Sequence, residues 1–483
     1  MSDDSGYSTP TAPPTPEPPR GDWGDRVQYS RRGGGYAYRP NQIYCLDTET
    51  KDEAEKITGS GRSVKITTDD ESAEGEWLHR FGSSFDGDVE DLLDELHRKN
   101  LHAEPNFVLF AHSLDANPVY ANPVYANPVY ANPVYANPVY ANPVYANPVY
   151  ANPVYANPVY ASPVYANPVY ANPVYANAYI CDGVRPSTAR PAGSTSSELL
   201  PYAEHPESKL KIVIFDTGIS EPTFCPPILK KLSDGHHDDW ELPDEGKSVG
   251  TQKDGFLDPV SGHGTFIAGI IQSLIPGPTI VPARVVASFG DVDVAMIVQR
   301  IEDLLGTFDD YTIVNMSFGG YADARIDALE RSIKRIRKTG AAVVASAGND
   351  GTSRPMFPAC FSDVVGVAAL DPYGPAPYSN HGSWVRACAP GTDLVSAFFE
   401  FDGKMELLPM PGSSDPDKFD HWARWTGTSF AAPVVAAALL RHMKVTGGNA
   451  NDAVNNVIDA AALFRLPDLG TVVNLVPPDF GCL

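Results

Sequence analysis

The chain has 483 residues, enough for two or three domains with at least one substantial core. A formal charge of −24, from 36 Lys and Arg against 60 Asp and Glu, argues against a nucleic-acid backbone or an anionic membrane as the main partner. Six scattered cysteines with no CxxC pair argue against the dense disulfide framework of a small secreted domain, and are read as mostly free thiols.

Residues 1–35 are expected to be a disordered tail, because Pro, Ser, Thr and Asp dominate the first 26 positions and almost nothing apolar is available to bury. The start has no basic stretch followed by an apolar core, and no run of eighteen apolar residues occurs anywhere. A soluble, cytoplasmic protein is therefore the expectation, with non-standard export as the alternative.

A small domain is expected over 36–115. Ile43–Leu46 and Val64–Thr67 read as strands around a short acidic helix, Glu49–Ile57, and Trp77–Phe81 reads as a third strand. Val89, Leu92, Leu93 and Leu96 fall at helical spacing behind Asp88, a residue suited to an N-cap, and Phe107–Phe110 closes the set as a strand. The order strand, helix, strand, strand, helix, strand is that of a two-layer, ferredoxin-like α+β unit.

Residues 116–175 are twelve tandem copies of Ala-Asn-Pro-Val-Tyr, with Ser162 the one departure. Proline at every fifth position removes ladder donors and holds the preceding residue extended, so neither a helix nor a central strand can form. The segment 116–178 is expected to be a disordered tether with a reach on the order of 100–200 Å. Two sharper readings are open: a ladder of cleavage sites of the type Tyr120-Ala121, or a multicopy peptide released by an enzyme fused behind it. Residues 179–207 extend the linker with Ser and Pro.

From 208 to 483 the composition is that of an α/β domain. Leu210–Phe215, Thr279–Ala287, Thr312–Met316, Ala341–Ala347 and Val364–Ala369 are continuous apolar strands, alternating with helical stretches Thr265–Leu274, Val292–Leu305 and Asp323–Thr339. Strands of this kind imply a mostly parallel, doubly wound sheet with helices on both faces.

Ligands in such a sheet bind beyond the carboxyl ends of the strands. Asp216 ends the first strand and is followed by Thr217-Gly218; alone, an Asp in that place is more often an Asx-turn or cap than a catalytic group. His263 lies between two glycines at a helix start, where it is either structural or held rigidly for chemistry. Ser429 precedes the apolar run Ala431–Leu440, and is either an N-cap or a nucleophile beside the positive end of a helix. Pro433 falls inside that helix at a cost of about 3 kcal/mol, so the turn has some reason for its shape.

Together, Asp216-Thr-Gly218, Gly262-His-Gly-Thr265 and Gly427-Thr-Ser-Phe-Ala-Ala-Pro433 resemble the three signature motifs of the subtilisin-like serine proteases, in that family's order. Asn315-Met-Ser-Phe-Gly-Gly320 resembles the family's substrate-binding strand, and Ala345-Ser-Ala-Gly-Asn-Asp350 the segment with its oxyanion-hole asparagine. Tyr378–Gly382 and Ala389–Gly391 resemble later turns of the fold. Phe430, Val434 and Phe318 depart from the family's usual methionine, histidine and leucine, all in packing positions.

The resemblance implies Asp216, His263 and Ser429 as a catalytic triad and Asn349 as an oxyanion donor. It implies Ser317, Phe318, Gly319, Ala347 and Gly348 as substrate-binding residues, with small pocket walls suited to a large apolar side chain. No cofactor is required. Structural calcium recurs in the family but no ligand loop for it is recognisable here, and His236–Asp239 reads as a solvated loop. Ala103–Ala111 resembles the last strand of the family's inhibitory pro-segment, which implies an autoprocessed zymogen cut somewhere in 112–207. Peptides or proteins are then the substrates, with the pro-segment as intramolecular inhibitor.

Overall fold

The computed structural model describes residues 27–30, 36–59, 61–67, 75–82, 84–111, 209–220, 260–275, 277–287, 290–323, 325–402, 418–460 and 465–473, with the short pieces 139–140, 152–156, 187–188, 229, 240–241, 256–257 and 404–405.

The small domain is built from β1 (Ala37–Cys45), α1 (Thr48–Thr58), β2 (Gly61–Lys65), β3 (Trp77–Phe81), α2 (Val89–Arg98) and β4 (Ala103–Ala111). Its strands lie in the order β4-β1-β3-β2 and are antiparallel throughout. Asp88 caps α2 by accepting the Glu90 and Asp91 amides, and Val89, Leu92, Leu93 and Leu96 turn inward at the spacing read from sequence. One boundary differs from expectation. Residues 28 and 29, placed in the tail, form an edge strand on Ala37–Tyr38, because Val27 finds an apolar seat beside Ala37 and Val108.

The large domain carries β5 (Lys211–Asp216), α3 (His263–Leu274), β6 (Thr279–Arg284), β7 (Asp291–Asp293), α4 (Val294–Asp303), β8 (Thr312–Met316), β9 (Phe318–Gly319) and α5 (Asp327–Lys338). It continues through β10 (Ala342–Ser346), β11 (Val364–Asp371), β12 (Ala387–Pro390), β13 (Leu394–Asp402), β14 (Lys418–Trp425), α6 (Thr428–Thr446) and β15 (Gly470–Val472). The main sheet runs β6-β5-β8-β10-β11-β12-β15, every one of these pairs parallel. Alternate residues of each strand feed opposite cores: Ile212 and Ile214 meet α3 and α6, whereas Val213 and Phe215 meet α4 and α5. The second core continues without a break into Tyr38, Ile43, Leu92 and Leu96 of the small domain, which therefore rests on the α4–α5 face.

Within the repeat, Val139–Tyr140 and Asn152–Ala156 pair antiparallel, a departure from a wholly unstructured tether. A two-stranded ribbon consists only of edges, so Pro153 removes no central ladder bond. The remaining repeat positions lie outside the described residues. Among the described residues, no helix is long and apolar enough to cross a membrane.

Candidate active site

β5 delivers Asp216 to the carboxyl end of the sheet, where it is fully buried. Its Oδ1 accepts the Thr217 amide at 2.8 Å and faces His263 Nδ1 at 2.7 Å. His263 opens α3, and the glycines beside it have separate steric reasons. Gly262 stands at φ 86°, and a Cβ there would run into the Phe398 ring; one on Gly264 would strike the Gly218 carbonyl. With no side chain in the way, the Gly264 amide reaches Thr217 Oγ1 at 2.9 Å and Ser220 N reaches Thr265 Oγ1 at 2.9 Å. The turn after β5 and the first turn of α3 are thereby stitched together.

Aromatic rings wall the imidazole: Trp425 lies edge-on at 5.6 Å and Phe430 at 5.2 Å between centroids. His263 Nε2 is buried without a hydrogen-bond partner among the described residues. Since Nδ1 is engaged by a carboxylate, the neutral ring carries its proton there, and Nε2 presents a lone pair into the site.

Ser429 occupies the first turn of α6 but does not cap it. The N-cap is Gly427, with no side-chain bond. Ser429 Oγ donates instead to the Ser317 carbonyl at 3.1 Å, and no hydrogen bond joins it to His263. Ser317 Oγ in turn donates to the Ser429 carbonyl at 2.8 Å and accepts from Asn315 Nδ2 at 2.9 Å. Pro433 accounts for that bond. The Ser429 carbonyl would ordinarily be claimed by the amide four residues on, and proline has none.

Asn349 follows β10, and its Oδ1 accepts both the amide and the hydroxyl of Thr428, at 3.0 and 2.9 Å. That fixes the amide's orientation, with Nδ2 as the donor end. Thr428 Oγ1 also accepts the Gly348 amide at 3.1 Å.

Among the expected substrate-binding residues, Phe318 and Gly319 pair with the end of β4. Ala111 stands opposite Phe318, and Phe110 stands opposite Gly319 on one side and Asp291 on the other. The Ala111 amide donates to the Gly290 carbonyl at 2.8 Å. Positions 108–111 thus form the middle strand between β7 and β9. Ala347 and Gly348 are packed rather than open, since a Cβ on Gly348 would lie 2.5 Å from both Met356 Sδ and Asn380 Nδ2.

Two supports were not read from sequence. Thr428 is one. The other is Asn380, which donates to the Ala347 carbonyl and Tyr321 Oη and accepts the Asp350 and Thr352 amides, so one side chain pins the segment carrying Asn349. Burial pushes the Asp350 carboxyl up, and the Tyr321 hydroxyl donated at 2.7 Å opposes the rise. Thr428 and Asn380 stand within the stretches Gly427–Pro433 and Tyr378–Gly382, but their supporting roles have no local pattern, because each acts by reaching across loops.

The small domain also grips the large one by charge. Arg39 meets Asp291 at 2.7 Å and Asp293 at 2.9 Å. Glu104 accepts the Asp327 and Ala328 amides at the start of α5, whose own N-cap, Ile326, offers no side-chain bond, and Asn106 accepts the Ala295 amide at the start of α4. Among the described residues no group of three or more His, Cys, Asp or Glu could hold a metal ion, and His236–Asp239 lies outside them.

Residues 207–470 match the model of the Subtilase family. The chain is 28% identical over 259 residues to the Thermophilic serine proteinase of Bacillus sp. (strain AK1), covering 52% of this chain and 56% of that protein. It is 27% identical over 277 residues to the Minor extracellular protease Epr of Bacillus subtilis (strain 168), covering 54% and 37%. Over 257 residues it is 28% identical to Thermitase of Thermoactinomyces vulgaris, covering 52% and 82%. The matches thus span about half or less of the first two relatives.

Proposed function

The chain belongs to the subtilase family, and from that premise we propose that it is a serine endopeptidase whose nucleophile is Ser429, base His263 and orienting carboxylate Asp216. The observation that carries the reading is the buried Asp216–His263 pair at 2.7 Å, which leaves Nε2 as an unpartnered acceptor beside the helix turn that holds Ser429. A rotation of the Ser429 hydroxyl away from the Ser317 carbonyl would let Nε2 take its proton as Oγ attacks an acyl carbon. Asp216 then stabilises the imidazolium, and His263 returns the proton to the departing amine. Asn349 Nδ2 and the Ser429 amide, which sits in the first turn of α6, donate to the oxyanion. Water hydrolyses the acyl ester, and no cofactor enters the step.

On this reading residues 36–111 are a pro-segment that inhibits in cis. The pairing of β4 between β7 and β9 supports it, as do the contacts of Arg39, Glu104 and Asn106 with the large domain. Labelling with a fluorophosphonate probe tests the assignment: processed protein is expected to take up the label at Ser429, and Ser429→Ala is expected to take up none. Processed protein that hydrolyses peptides while Ser429 stays unlabelled would overturn it.

A further inference from the structure

β9 and the segment carrying Asn349 are both fastened to the first turn of α6. Ser317, the residue before β9, is joined to Ser429 through its hydroxyl at 2.8 Å and its carbonyl at 3.1 Å, and Asn349 Oδ1 accepts the amide and hydroxyl of Thr428. A second junction closes the frame from the other side. Gly320 and Phe357 exchange amide-to-carbonyl bonds at 2.9 Å in each direction, and the next residue, Tyr321, reaches the Asn349 segment itself. Its hydroxyl donates to Asp350 Oδ2 at 2.7 Å and accepts from Asn380 Nδ2 at 3.0 Å. The Arg354 guanidinium lies over its ring at 4.4 Å, so the phenol is held by its face as well as by its tip.

Asn380 carries that contact to both sides of Asn349. Its amide donates to the Gly348 carbonyl at 2.9 Å and its Nδ2 to the Ala347 carbonyl at 2.9 Å, while its Oδ1 accepts the Asp350 and Thr352 amides at 3.0 and 3.2 Å. These bonds hold residues 347–352 to Asn380, and the Tyr321 hydroxyl ties that unit to the end of β9. Burial and the Asp350 carboxylate push the Tyr321 hydroxyl well above its ordinary range, so it remains a donor wherever hydrolysis can be assayed. An oxyanion donor counts by its distance to the oxygen of the tetrahedral intermediate, and a displacement of about 1 Å can cost on the order of 10² in rate.

We propose that Tyr321 is a positioning residue for the oxyanion donor: by fastening Asp350 and Asn380 to the end of β9, it sets how far Asn349 Nδ2 stands from the acyl carbon of a peptide paired with that strand. The proposal rests on the serine peptidase reading above and deepens it. Tyr321→Phe keeps the ring under Arg354 and removes the hydroxyl, which leaves Asp350 without that donor and Asn380 without that acceptor. A contact made to the oxyanion belongs to the transition state, so its loss lowers kcat and kcat/KM together and leaves KM in place. A residue that lined the substrate pocket would raise KM instead.

Peptide hydrolysis by the chain expressed at full length, with kcat taken per site titrated by the fluorophosphonate probe, tests this. Tyr321→Phe is expected to lower kcat about tenfold with KM within about twofold, and to lower it by less than about twofold when introduced into Asn349→Ala, because the group it positions is then gone. Asp350→Ala removes the acceptor at the other end of the same bond and is expected to follow the same pattern, which decides the matter where Tyr321→Phe does not yield folded protein. An unchanged kcat in both variants, a loss confined to KM, or an equal loss of kcat with and without the Asn349 side chain would each overturn the proposal. Titrated sites that turn over with independent losses refute the role of Tyr321 alone and leave the peptidase reading standing. If the probe finds no site and no peptide is hydrolysed, both fall.

Discussion

Changing Glu104 to Gln in a chain kept unprocessed by Ser429→Ala would isolate one buried charge at the seam between the domains. Burial pushes the Glu104 carboxyl up from 4.5 to about 8, the Asp327 and Ala328 amides pull it down, and the charges of Asp327 and Glu76 add to the rise. A docked value above the separated one means that docking retains a proton. The stabilisation is fully present below about pH 4.5 and is lost as pH rises to about 8, beyond which nothing further is lost. One proton is worth about 1.4 kcal/mol per pH unit, so the effect reaches roughly 4 kcal/mol between about pH 5 and pH 8 at most. Glutamine does not titrate. It keeps one acceptor but turns an amino group toward the second amide, at a cost of about 1 kcal/mol at every pH. Denaturant unfolding of the two proteins across that range should give curves that cross, the Glu104 protein more stable in acid and the Glu104→Gln variant more stable in base. Parallel curves would refute the assignment of the titration to Glu104.

Asn349→Ala should lower turnover by about 10²–10³ in a protein that stays folded but is less stable by about 1–3 kcal/mol, because Thr428 loses the acceptor of its amide and hydroxyl, and full turnover would remove the residue from the mechanism. Arg39→Ala leaves Asp291 buried without its cation and should weaken docking of the small domain by about 2–5 kcal/mol, read as faster tryptic nicking of that domain in Ser429→Ala protein. Gly264→Ala forces a methyl against the Gly218 carbonyl and should cost about 1–3 kcal/mol in denaturant unfolding, whereas a neutral result would show that the two turns do not close as described.

The sheet was readable in advance because its strands are buried on both faces, which makes them continuous apolar runs that periodicity detects. α2 was readable because its signals are local: Asp88 at the cap and apolar residues at i, i+3, i+4 and i+7. The start of α5 shows where such reading stops. Its cap position holds Ile326, a poor residue by any local rule, because the carboxylate that serves its amides arrives from Glu104, 223 residues earlier in the chain. The same holds for Asn106 at α4 and for the β4–β9 pairing, contacts between segments that share no local pattern. Residues 216, 263 and 429 could be singled out only together, since each has an ordinary structural reading alone and only their joint order resembles the family's signature.

Pro433 shows how far the fold departs from greatest stability at this point. A proline inside a helix costs about 3 kcal/mol, and one neutral hydrogen bond from Ser317 Oγ recovers only about 1 kcal/mol. The exchange is reasonable only if the bond does something a helix bond could not. An amide at position 433 would tie the Ser429 carbonyl to α6 alone. Without it, the backbone of Ser429 is fastened to Ser317, the residue before β9, while its side chain is fastened to the carbonyl of that same Ser317. Ser429 is therefore joined to the residue before β9 by two bonds, at 2.8 and 3.1 Å, and not only by the packing of a helix against a sheet; under the proposed mechanism those bonds would set where the attacking hydroxyl stands relative to that strand.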